Sequence, residues 1–373
     1  MTIFKPLAAD DRVSTKTLLH EAIPITGTIL SGTYGSHVTA STNVQNFTHG
    51  MFQSVYDYPY LSSSANHIFD ISVGTSNTGL ITSVQTAKKD NIYNQMAQVL
   101  MGYDQEGKIQ KFDADGNLIA GGDEINDAIF LSFSRLLGKD EIKKGSFELE
   151  LGVNGAYATP MTKRIKIVDQ GAATSYRVNS PAGEFGILYA TASVGSVLDT
   201  TSTNTASIDG NKYWRAGLIY YQAGVAVLTS SILGATGAVG GLGFLTGLGA
   251  TKLDFDGAGT TFTGSLAAKE ISASADFLRN RIFNLQFNNT IELNSTVYFC
   301  RAKHNEFNYS SNPTYLSGSQ IRVKNQTTDI PISYITSIGL YSSDNQLLAV
   351  GKFSEPIRKD SNIELTFRAR LDY

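Results

Sequence analysis

At 373 residues, with 42% hydrophobic and only 17% charged side chains, the chain exceeds the usual single-domain length and has ample apolar material for a core. Serine, threonine, asparagine and 35 glycines take the place of charge, a composition that suits strands and tight turns better than helices. The net charge of −3, from 30 basic and 33 acidic residues with no dense basic run, argues against nucleic-acid binding as the main role and against a basic membrane-surface patch.

Residues 2–42 read as an extended arm with strands, in which Ile23, Ile25 and Ile29 alternate before Gly32 and Gly35 break the pattern. Residues 43–56 are expected to be helical, because Val44, Phe47, Met51, Phe52 and Val55 recur mostly at three- and four-residue spacing. Residues 69–73 alternate as a strand. A strong helix follows, capped by Asp90, with Ile92, Met96, Val99 and Leu100 on one face and its end near Gly102. Residues 123–137 give a second expected helix, with the stripe Ile125, Ile129, Phe133 and Leu136 and a stop at Gly138. Residues 146–151 alternate as a strand, and 191–211 read as a loop dominated by serine and threonine.

From Ala216 to Thr251 there are 36 residues without a formal charge. Residues 218–228 are apolar enough for a buried central strand or pair. Residues 234–250 hold seven glycines, too costly in entropy for a packed helix, and read as a loop. The stretch has the length of a membrane span, but its glycines, Gln222 and sparse basic anchors favour the buried strand and loop, so no span is expected. Residues 266–281 can hold a third helix before the C-terminal strands. The result is a β-rich α+β chain of antiparallel sheets and sandwich-like units with a few helices. Its expected divisions are an arm at 1–42, a mixed unit at 43–151, a β-rich unit with the glycine loop at 152–281 and a β unit at 282–373.

Each candidate for chemistry meets a plainer explanation. Asp113-Ala114-Asp115-Gly116-Asn117, with Glu124 at the twelfth place, imitates a calcium loop, but Leu118 stands where the sharp turn needs glycine. A hairpin between residues 111–112 and 118–119 is expected instead, without tightly held calcium. The glycine run lacks both G-x-G-x-x-G and Gly-Lys-Ser/Thr, which argues against a phosphate cradle. The five histidines form no metal-spaced pair, and there is no G-x-S-x-G elbow. Ser343-Asp344-Asn345 copies a β-lactamase tripeptide but falls in a hairpin loop between Tyr341 and Leu347. Glu148 and Glu150 share one strand face and read as solvated rather than as a glycosidase pair.

Cys300, the only cysteine, cannot form an internal disulfide and reads as a small buried hydrophobe. The N-terminus lacks the charged leader and apolar core of a signal peptide, consistent with folding in a cytoplasm. Tyr56-Asp57-Tyr58-Pro59-Tyr60 reads as packing at a helix end, with a subunit contact or a carbohydrate platform as its functional alternatives. No catalytic, cofactor or metal residue is assigned, and no enzyme activity is expected.

The order of phrases in the C-terminal third carries a family likeness. It runs from Asn305-Glu306-Phe307-Asn308-Tyr309 through Pro331-Ile332-Ser333-Tyr334-Ile335 and Leu347-Leu348-Ala349-Val350-Gly351 to Phe367-Arg368-Ala369-Arg370-Leu371-Asp372-Tyr373. With Gly183-Glu184-Phe185-Gly186-Ile187 and Gly217-Leu218-Ile219-Tyr220-Tyr221, it resembles the structural virion proteins of contractile-tailed bacteriophages over roughly half the chain. The resemblance implies a component of the tail or baseplate, folded in the host cytoplasm. Its partners would be other virion proteins and copies of itself. A neck, collar or capsid-decoration protein, or a carbohydrate-binding host-recognition module, remains the alternative. The arm at 2–42, the glycine loop and the terminal strand are the expected contact elements. In that strand Phe367, Ala369 and Leu371 alternate with charged residues, so one face is expected to be covered.

Overall fold

The computed structural model describes residues 4–24, 43–57, 59–76, 83–117, 124–133, 141–153, 160–194, 205–233, 270–279, 281–310, 316–317, 320–321, 328 and 330–372. In chain order these form β1 (Arg12–Pro24), β2 (Val44–Asn46), β3 (Gln53–Tyr56), β4 (His67–Thr75), α1 (Val84–Leu100) and β5 (Asp127–Ser132). Then come β6 (Glu141–Ile142), β7 (Glu148–Gly152), β8 (Arg164–Val168), α2 (Ala172–Ser175), β9 (Arg177–Ser180) and β10 (Gly183–Val194). They are followed by β11 (Thr205–Ile208), β12 (Asn211–Tyr220), β13 (Val225–Thr229), α3 (Ile271–Arg279) and β14 (Ile282–Ala302). Last are β15 (Leu316–Ser317), β16 (Gln320–Ile321), β17 (Ile332–Tyr341), β18 (Leu347–Asp360) and β19 (Leu365–Asp372). The protein is β-rich α+β, and every ladder whose register is described is antiparallel.

The chain divides into a larger unit, His20–Ile291, and a smaller one made of Met1–Leu19 with Glu292–Tyr373. In the larger unit the first half of β14 pairs with β7, and the sheet continues through β8, β10, β12, β13, β5, β4 and β3 to β2. Its centre is the uncharged stretch. Leu218 pairs with Val227 in the β12–β13 hairpin, and Leu218, Ile219, Tyr220, Ala226, Val227 and Leu228 are all fully buried. A run apolar on both faces of the pleat belongs in the middle of a sheet covered on both sides. At Gly217 a Cβ would lie 1.9 Å from the Val227 carbonyl oxygen, so only glycine lets these two strands approach so closely.

Two expected helices are strands. Residues 43–56 form β2 and β3, whose Val55 pairs with Phe69 of β4. Residues 127–132, expected to be helical within 123–137, form β5 between β4 and β13. The stripe Ile125, Ile129 and Phe133 repeats every fourth residue, which keeps one face of a strand as well as one face of a helix. Phe130 and Leu131, buried on opposite sides, decide for the strand.

The expected helix beyond residue 90 is α1, but it starts about two turns earlier. Ser83 caps it, accepting a hydrogen bond from the Thr86 amide at 3.1 Å. Its packed face is Lys89, Ile92, Tyr93, Ala97 and Leu100, while Val99 is exposed. Gly102 ends it in the left-handed region. The third expected helix is α3, and β4 and β7 fall on the expected strands at 69–73 and 146–151. The loop expected at 191–211 is narrower, since β10 runs to Val194 and β11 pairs with β12. The glycine-rich residues 234–250 lie outside the described residues, as do residues 25–42 of the arm.

In the smaller unit the second half of β14 pairs with β19, from Ser295 with Asp372 to Ala302 with Leu365. The terminal strand is therefore locked into a sheet. Separately, β17 and β18 form a two-stranded ribbon, Ile332 with Asp360 at its base and Tyr341 with Leu347 at its tip. The turn carries Asn345 in the left-handed region, which places Ser343-Asp344-Asn345 in the expected hairpin loop.

Candidate functional site

The two units differ sharply in what they bury. Among the described residues the contiguous apolar core lies within residues 55–287. In the smaller unit only Val297 and Ala302 are buried apolar side chains among the described residues. The same unit supplies twelve of the twenty exposed large hydrophobics described, including Tyr334, Leu347, Leu348 and Val350 on the ribbon. Along β19 the expected alternation holds, but Phe367, Ala369 and Leu371 are only half-buried. An isolated two-stranded ribbon is marginal in water, and large exposed apolar patches mark interaction surfaces.

Polar contacts, rather than a core, hold this unit together. Lys359 is fully buried, and its Nζ donates to the carbonyls of His304 (3.3 Å) and Asp360 (2.8 Å) and to Asn308 Oδ1 (2.7 Å). It thereby ties the base of β18 to the turn at 304–308, where Phe307 has a left-handed backbone and its carbonyl accepts from Ser333 Oγ. Lys5 bonds the Arg301 carbonyl and ion-pairs with Glu306, and Arg301 Nε pairs with Asp11 at 2.7 Å.

Beside this framework lies a cleft of about 630 Å³. Its walls are residues 4–7, the end of β14 at Cys300–302, Phe307, Phe367 and β17 with its turn. Phe4 meets Tyr341 edge-on at 4.7 Å between ring centres. Cys300, expected to be buried, is half-buried and lines the cleft; partial desolvation and the nearby Asp11 carboxylate raise its thiol pKa.

The larger unit buries several polar groups whose partners account for them. Asp169, 2% exposed, accepts from the amides of Gly145 (2.6 Å) and Phe147 (3.1 Å), with the Tyr221 hydroxyl at 3.5 Å. Burial pushes its pKa up to about 6 against the pull of those hydrogen bonds. Burial likewise depresses the Lys89 pKa and raises that of Asp127, which attract one another between α1 and β5. Ser54 Oγ donates to Asp70 Oδ1 (2.5 Å), the same oxygen that meets His67 Nε2 (2.6 Å). The hydroxyl thus faces the carboxylate and not the imidazole, which is not the order a serine nucleophile requires.

The calcium-like stretch is shaped by its own side chains. The Asp115 amide bonds Asp113 Oδ1 (3.2 Å), and the Asn117 amide and side-chain nitrogen bond the Asp115 carboxylate (3.0 and 2.6 Å). Of the expected pairing of 111–112 with 118–119, the second arm lies outside the described residues. Asp113 bridges to Glu124, the Phe112 carbonyl accepts from the Ile125 amide, and Lys111 pairs with Glu124 at 2.9 Å. That ion pair and the buried Ile125 close residues 111–113 onto 124–125; residues 118–123 lie outside the described residues.

Glu148 and Glu150 are not on a solvated face. Lys166 of the adjacent strand meets Glu148 at 2.8 Å and Arg164 meets Glu150 at 3.3 Å. Tyr56 meets His67 edge-on, 5.3 Å between rings, and bonds Gln45 through its hydroxyl, while Tyr60 is partly exposed. Tyr58 is outside the described residues, so the three tyrosines are not seen to converge.

Among the described residues no group of three or more His, Cys, Asp or Glu is placed to hold a metal. Among the same residues no helix is long and apolar enough to cross a membrane. No family model, curated protein or solved structure matches the chain. Sequence reasoning missed the cleft and the Lys359 cluster. The one available signal was the ten-residue β17 run without a charge or a proline.

Proposed function

We propose that this chain is a structural component of a contractile-tailed phage particle, in the tail or baseplate region, and that it acts through assembly rather than catalysis. The observation that carries the reading is the near absence, among the described residues, of an apolar core in the unit of Met1–Leu19 and Glu292–Tyr373, beside its concentration of exposed apolar side chains. Such a unit gains its missing burial from neighbours, here other virion proteins and copies of itself. Covering what remains exposed of Leu347, Leu348 and Val350 would contribute roughly 1–2 kcal/mol each. The sequence resemblance set out above supplies the particle.

Hydrogen exchange tests this directly. In the isolated chain the amides of β17–β18 are expected to exchange far faster than those of β12–β13. In purified particles they are expected to be protected to a comparable degree. Equal exposure of the ribbon in both states would contradict assembly through this unit.

A further inference from the structure

The cleft of the smaller unit has a feature that a pocket for a small molecule does not need. It is lined by Ile335 and by every residue from Ser337 through Ser343, so both faces of β17 contribute, while no residue of β18 does. The cleft therefore opens along the edge of β17 that faces away from its ribbon partner. Among the described residues that edge has no ladder partner.

Natural edge strands are usually blunted with lysine, proline or a bulge. Along its ten residues β17 has neither charge nor proline, and the two register shifts of its ladder, at Ile335/Ser337 and Leu340/Tyr341, put the extra residues on β18. The ionic groups at the cleft are already matched with one another, Lys5 with Glu306 and Arg301 with Asp11. They leave no net charge to attract an ionic ligand. The remaining walls, Phe4, Leu7, Phe307 and Phe367, are apolar, and the volume lies within the roughly 300–1,000 Å³ of ordinary binding sites.

We infer that this cleft is a strand-addition site: an uncharged extended segment of a different protein pairs its backbone with β17 and sets every second, apolar side chain against the aromatic wall. The described strands of this chain already belong to ladders, and a strand that is already paired would bring its partner with it. A single extended segment from elsewhere meets neither obstacle. The inference rests on the assembly reading above and names the contact it would use.

Cys300 lines the cleft and is the only cysteine, so its alkylation rate in the full chain reports occupancy. The probe is an acetylated and amidated octapeptide of alternating valine and threonine. It is expected to slow alkylation saturably, by about tenfold or more. The same peptide with a central proline, or with glutamate in place of threonine, is expected to give little protection. Ser337→Lys, at an exposed position in the cleft, should abolish the effect; Thr336→Lys, whose residue does not line it, should leave the effect intact.

Protection by decanol equal to that by the peptide would make the cleft a small apolar pocket and overturn the inference. So would protection that grows with the chain's own concentration, which would seat a second copy there. An unchanged rate at millimolar peptide would end it outright. If the chain is present in particles but Cys300 reacts there as fast as in the free chain, strand addition fails while the assembly reading stands. If the chain is absent from particles, the assembly reading fails and the peptide result still decides the cleft.

Discussion

Asp169→Asn separates the cost of a buried charge from the benefit of its hydrogen bonds. In the folded chain Asp169 titrates at about 6, whereas an unfolded aspartate titrates near ~3.9. Folding therefore prefers the protonated acid. Its contribution is fully present below pH ~4, declines as pH rises toward ~6, and is lost above that. A shift of about two units corresponds to on the order of 3 kcal/mol. Asparagine stays neutral throughout and so removes this dependence. It also places an amide NH₂ against one of the two amides, Gly145 or Phe147, that the carboxylate now serves. That loss costs about 1–3 kcal/mol and does not vary with pH.

Urea unfolding of both proteins from pH 4 to 7.5, followed by Trp214 fluorescence, reads the difference. The variant is expected to be the less stable at pH 4 and to gain on the parent by about 3 kcal/mol by pH 7. Asp127 and every other carboxylate are common to both chains and cancel. A difference that stays flat within experimental error would show that burial does not penalise the Asp169 charge.

Lys359→Met removes the donor shared by His304, Asn308 and Asp360 and is expected to cost about 3 kcal/mol, seen as faster amide exchange in β17–β18 with β12–β13 unchanged. Gly217→Ala drives a Cβ to 1.9 Å from the Val227 carbonyl oxygen; thermal melts are expected to show severe destabilisation, above ~3 kcal/mol, since backbone cannot give way there. Leu371→Asp, on the half-buried face of β19, is expected to cost about 1–3 kcal/mol in melts of the free chain and to reduce incorporation into particles. Arg370→Ser loses an exposed ion pair with Asp372 and a part-buried hydrogen bond to Ser295 and is expected to cost about 1 kcal/mol or less.

Much of the β architecture was legible because strand periodicity survives without a partner. Residues 218–228 announced a buried pair through an uncharged apolar run, and β12 and β13 form it. Residues 123–137 misled because Ile125, Ile129 and Phe133 sit four apart, a spacing that both a helix and a strand satisfy. What decided between them was the pairing of β5 with both β4 and β13, which is non-local. The cap of α1 was misplaced because Asp90 and Ser83 are both good capping residues, and only packing shows that the helix already runs past Lys89. Glu148 and Glu150 looked solvated because Lys166 and Arg164 become their neighbours only when β7 and β8 pair.

The bare character of the smaller unit was invisible for a related reason. The alternation of Phe367, Ala369 and Leu371 says which face of β19 is apolar, but not whether this chain supplies anything to cover it. The cleft brings residues 4–7 beside β17, more than three hundred positions apart, and no local pattern records such a meeting.

The central claim is that the chain is a repeated part of a phage particle. Quantitative mass spectrometry of purified particles, normalised to a component of known copy number, tests it most directly. The account predicts the chain at a fixed, small-integer stoichiometry per particle symmetry unit, undiminished by high-salt washing. Absence from intact particles, with the chain abundant in infected cells, would contradict it.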